Sequence, residues 1–134
     1  MKKLTAGFLL ISSIVFNACA PAQGQKPMQY AAKSADVLAA ISQIGSTIQP
    51  SSMHNYFSVI ETTPTQVTLK ADNTLGISLL TNNQPVIVTF TALESSGITF
   101  VSHSYKGDVR KDSPIDKRVQ NVYNELAKRF NLIP

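Results

Sequence analysis

Reactive side chains are few in this chain and lie far apart. Cys19 is the only cysteine in 134 residues, and His54 and His103 are the only histidines. A thiol can be a nucleophile, a metal ligand or an acylation site, and an imidazole a base or a metal ligand, but each chemistry needs partners at fixed spacing. Those partners are missing from the sequence. With no second cysteine there is no disulfide framework, and neither histidine is surrounded by ligand-type residues at ligand spacing. His54 and His103 read as surface or strand-end residues at the start of the first long strand and near the end of the last. Serines are plentiful, yet no Gly-x-Ser-x-Gly elbow and no Gly-rich phosphate loop occurs. Asp108, Asp112 and Asp116 recur four apart, but Arg110 and Lys111 lie between them. The run also lacks the alternate-position ligands and closing Glu of a calcium loop. It reads as a charge-balanced loop leading into a helix start. The expectation is that the chain is not an enzyme and has no metal and no cofactor.

Cys19 gains its meaning from what precedes it. Lys2 and Lys3 are followed by an apolar run from Leu4 to Phe16, broken only by Thr5, Gly7, Ser12 and Ser13, and then by Asn17-Ala18-Cys19. A charged start, a short apolar stretch and a small residue form an export signal. The run is too short to cross a bilayer, which takes about 20 apolar residues. A sole cysteine directly after the small residue resembles the lipobox of bacterial lipoproteins. That resemblance implies a signal peptide of residues 1–18 cut between Ala18 and Cys19, with lipid carried on Cys19 and its new amino terminus. Phe16 stands where that family prefers Leu, Val or Ile, and Asn17 where it usually has a small residue. Each buried methylene of an acyl chain adds about 0.8 kcal/mol of membrane affinity, so two or three chains hold a small domain firmly. Ala20 takes the place of the aspartate that retains enterobacterial lipoproteins at the inner membrane. The resemblance therefore implies the outer membrane, facing the periplasm.

The remaining composition excludes some partners. The formal net charge is +4, and loss of Lys2 and Lys3 with the signal leaves +2. Binding nucleic acid needs a concentrated basic footprint, which a nearly neutral chain with interleaved acids does not supply. Residues 19–33 are rich in Ala, Pro, Gln and Lys, with Pro21 and Pro27 opposing helix, and are expected to form a lipidated flexible tether.

Residues 34–134 are expected to form one α+β domain. Ser34 is placed to cap a short helix in which Val37, Leu38, Ile41, Ile44 and Ile48 share a face, and Gly45 is placed to end it. From Asn55 to Tyr105 the period drops to two, and strands are expected at Tyr56–Glu61, Gln66–Ala71, Leu75–Leu79, Val86–Leu93 and Ile98–Tyr105. Connections this short dictate an antiparallel meander of about four to five strands. Ser113-Pro114-Ile115-Asp116 has the form of a capping box with proline at the first helical position. It opens a long amphipathic helix whose stripe is Ile115, Val119, Val122, Tyr123, Leu126 and Phe130. Both helices are expected on one sheet face. This element order is similar to small helix-sheet-helix domains of periplasmic lipoproteins, among them helix-grip domains of an accessory lipoprotein of the outer-membrane barrel-assembly machinery. The expected function is a non-catalytic interaction module of the cell envelope, held to the membrane by its lipid and meeting a periplasmic or outer-membrane protein. The alternative is a carrier or sensor of a small apolar ligand between sheet and helices.

Overall fold

The computed structural model describes residues 26–51, 53–74, 85–107 and 109–134. Its elements are β1 (Met28–Tyr30), α1 (Ser34–Thr47), β2 (His54–Thr62), β3 (Gln66–Asn73), β4 (Val86–Ser95), β5 (Ile98–Lys106), α2 (Pro114–Arg129) and β6 (Leu132–Ile133). They build an α+β fold on one antiparallel sheet of six strands in the order β2-β3-β4-β5-β1-β6.

β2 to β5 form the expected meander, because short turns allow only neighbouring antiparallel pairing. The β4–β5 hairpin closes over Ser96 and Gly97, both at positive φ, as the right-handed twist of the flanking strands favours. The strand expected at Leu75–Leu79 lies outside the described residues, as do Ala18 and Cys19. Two strands are additional. β1 pairs with β5, and β6 pairs with β1, so both ends of the domain lie side by side in the sheet.

This corrects the expected extent of the tether. Met28–Tyr30 is a strand, and Tyr30 is fully buried. Thr99 Oγ1 donates to Ala32 O at 2.6 Å, and Ala31 N donates to Asn131 O at 2.9 Å. Pro27 and a polar composition concealed a segment held by these long-range bonds.

One sheet face carries Val67, Leu69 and Ala71 of β3, Val88, Phe90 and Ala92 of β4, and Val101 of β5, all fully buried. Helix α1 covers it with Val37, Leu38, Ile41 and Ile44, and α2 with Ile115, Val119, Val122 and Leu126. Alternation leaves the other face to Ile87, Thr89, Thr91, Leu93, Phe100 and Ser102, half-buried and crossed by no described helix.

The caps differ from expectation. Ser34 is the first residue of α1, and Lys33 occupies the cap position without a side-chain bond. The Glu94 carboxylate, reaching from β4, accepts from Ser34 N at 2.8 Å and places negative charge at the positive end of the helix dipole. Gly45 does not end α1, which runs on to Thr47. It is buried where a Cβ would stand 2.6 Å from Leu69 Cδ1, so its lack of a side chain lets helix and sheet approach. At α2, Ser113 Oγ accepts from Asp116 N as the capping pattern predicts. Asp116 does not return the bond to the cap residue: its Oδ2 accepts from Asp112 N and its Oδ1 from the Tyr105 hydroxyl.

Candidate functional site

The most chemically equipped place is under the middle of α2, where His103 meets Tyr123. Strand alternation puts His103 on the same face as Val101, so its ring enters the core side and only 8% of it stays exposed. Its Nδ1 lies 2.8 Å from the Tyr123 hydroxyl, a buried contact. Phe90 and Tyr105 complete the surround, with ring centroids 5.9 and 5.1 Å from that of His103. Burial lowers the His103 pKa below the ordinary imidazole value, and the Asp116 charge opposes this as the smaller influence. Burial raises Tyr123 above the usual phenol range. Tyr105 is raised too, by burial first and then by its bond to Asp116. Tyr123 therefore keeps its proton at neutral pH. Its hydroxyl has no other acceptor among the described residues, and in the tautomer in which it donates to Nδ1 the imidazole proton stands on Nε2.

The expectation that His103 is a surface or strand-end residue is thus corrected. The signal was present: His103 alternates with Val101 and Tyr105, and Tyr123 lies in the apolar stripe of α2. Two hydrophobic patterns that must face one another bring the two rings together.

His103 and Tyr123 line a small cleft of about 210 Å³ between α2 and the β5–β1–β6 edge of the sheet. Gln120 and Asn124 of α2 line one side, Met28 and Leu132 the other, and the exposed Lys26 stands at its mouth.

His54 is elsewhere. It starts β2, while His103 is on β5, and three strand spacings of about 4.8 Å separate those strands. The two rings are too far apart to share a metal. No group of three His, Cys, Asp or Glu side chains is close enough to hold an ion among the described residues. Asp112 and Asp116 are joined to each other through the amide bond at the start of α2.

Near His54 a second feature escaped the sequence. Arg118 is only 5% exposed, unusual for a charged side chain. Its guanidinium lies over the Phe57 ring at 4.3 Å from the centroid, and Nη2 donates to Asn55 O at 2.9 Å. Nε and Nη1 are buried without an acceptor, as is His54 Nδ1. Burial lowers the pKa of His54, with the Arg118 charge as the lesser cause.

The third feature is the β2 edge. Met53, Tyr56, Val59, Ile60 and Leu132 are the exposed large hydrophobics of the described residues, and the first four lie on β2 or next to it. Tyr56 and Ile60 are about half exposed, at 49% and 50%. Register shifts interrupt β2–β3 pairing between His54 and Phe57 and between Val59 and Glu61, so β2 bends where it carries these residues.

No helix among the described residues is long and apolar enough to cross a membrane. In comparisons with known proteins, no family model, no curated protein and no solved structure matches this chain.

Proposed function

We propose that the chain is a lipid-anchored protein of the bacterial cell envelope, carried on the outer membrane facing the periplasm, whose domain is a non-catalytic interaction module. The address rests on the first nineteen residues: the basic start, the apolar run and Ala18 before Cys19. The mode of action rests on one observation, the gathering of Met53, Tyr56, Val59 and Ile60 on or next to the nine-residue edge strand β2. Exposed apolar side chains grouped on one edge strand mark a place that another protein covers, whereas the same residues scattered singly would mean nothing. Carriage of a small apolar ligand is the weaker reading. The cleft between sheet and α2 holds about 210 Å³, short of the roughly 300 Å³ of pockets that enclose a drug-sized ligand, and Lys26, Gln120 and Asn124 in its lining do not suit a wholly apolar one.

Crosslinking and pull-down from membranes tests both halves. Wild type is expected to fractionate with membranes and recover a specific envelope protein. Cys19→Ser is expected to leave the membrane fraction. Tyr56→Lys with Ile60→Lys is expected to stay on the membrane and lose the partner. Membrane fractionation of Cys19→Ser overturns the anchor, and a partner retained by the β2 variant overturns the surface.

A further inference from the structure

The His103 cleft has a chemistry of its own that the interaction reading does not use. Its lining contains one cation, Lys26, and no Asp or Glu. The carboxylate that bears on His103, Asp116, is not part of the lining and is taken up by the Tyr105 hydroxyl and the Asp112 amide. His103 Nδ1 is engaged by the Tyr123 hydroxyl, and in the tautomer in which that hydroxyl donates, Nε2–H is the donor that the ring has left to offer. Gln120 and Asn124 add amide groups from one face of α2, one turn apart. Met28 and Leu132 supply apolar surface on the opposite side.

A cation at the mouth, a neutral donor at the floor and one greasy wall suit a molecule with negative charge at one end and a hydrocarbon at the other. The space inside the cleft is small. At about 30 Å³ per water, 210 Å³ is the space of about seven waters. We propose that this cleft is a binding site for a small monocarboxylate with a short aliphatic tail, its carboxylate held by Lys26 and His103 Nε2–H and its tail laid on Met28 and Leu132. The proposal is independent of lipid anchoring and of the β2 surface.

A titration of the full chain with hexanoate, followed by NMR of the Met28 methyl and the His103 ring protons, tests it. An affinity of about millimolar is expected for so few atoms. Both signals should shift saturably with hexanoate, at least tenfold more weakly with 1-hexanol, and not at all with hexylamine. Lys26→Glu, an exposed substitution that leaves the unfolding midpoint unchanged, should weaken hexanoate at least tenfold. Asn124→Leu, also exposed, should weaken it less. Absence of a saturable hexanoate shift overturns the site. Equal binding of 1-hexanol or hexylamine, or an unchanged affinity in Lys26→Glu, overturns the carboxylate assignment.

Discussion

Replacing Gly45 by alanine sets two known effects against each other. In an exposed helix interior the change would stabilise by about 1 kcal/mol, because alanine loses less conformational freedom. Here the added Cβ would stand 2.6 Å from Leu69 Cδ1 and 3.4 Å from Cδ2. Leu69 is fully buried in β3, so its methyl groups can give way only by repacking against core neighbours. Overpacking of a tight core costs about 1–3 kcal/mol. The sum is a net loss of about 1 kcal/mol, or ~4–8 °C in the midpoint of a domain this size. The cause is one contact, so a double-mutant cycle isolates it. Leu69→Ala alone should cost about 2–5 kcal/mol through the cavity it leaves. In that background the contact is gone, and Gly45→Ala should become stabilising, giving a coupling of about 2 kcal/mol. Urea unfolding of the four proteins measures it. A stabilising Gly45→Ala in the otherwise unchanged chain, or a coupling near zero, would refute the reasoning that Gly45 is there for close approach.

Three further outcomes are expected. Burial lowers the His103 and His54 pKa values in the folded state, so the unfolded chain binds more protons. Stability is then full above the ordinary imidazole value of about 6.5 and is lost as pH falls through it, and unfolding free energy measured against pH should flatten there in His103→Phe with His54→Phe if the two rings are the cause. Tyr30, pushed up to about 12 by burial, keeps its proton in the fold. It should be the lowest of the three buried phenols in an alkaline ultraviolet titration, and stability should fall as pH rises above about 10, the unfolded value. Arg118→Met exchanges a buried cation with unpaired Nε and Nη1 for an apolar chain. Chemical unfolding should show a gain of about 1 kcal/mol, as buried charges replaced by hydrophobes often do, and a loss of 2 kcal/mol or more would mean that the guanidinium is properly satisfied.

The strongest sequence patterns became structure where periodicity and packing agreed. The stripe Ile115, Val119, Val122, Tyr123, Leu126 is the buried face of α2, and the alternation Val86, Val88, Phe90, Ala92 is the helix-covered side of β4. Ser113 was legible as a cap because its bond is local. β1 and β6 were not legible: three and two residues are too few to show a period, and their stability comes from partners up to a hundred residues away. Glu94 as the cap of α1 was hidden for the same reason, since its partner Ser34 is sixty residues distant. The burial of Arg118 and Asp116 is not legible from residue type, since charged residues are seldom this buried. Of the candidate cleft, His103 and Tyr123 were each visible, and their meeting depended on how α2 crosses β5.

The position of β1 also sets an order on events. It is the first described strand to be synthesised, yet its partners are β5 and, on its other side, the last two paired residues of the chain. A register that joins Gln29 to Ile133 spans nearly the whole domain, and such distant closures are slow to form. The meander β2–β5 with α1 can begin to collapse while the chain is still emerging, but the sheet is finished only when its final residues arrive. Until then β1, paired with β5 on one side only, presents the unpaired edge. Loss of only the last few residues would leave β1 as an edge strand, so this domain is sensitive to small truncation at the end most often treated as dispensable.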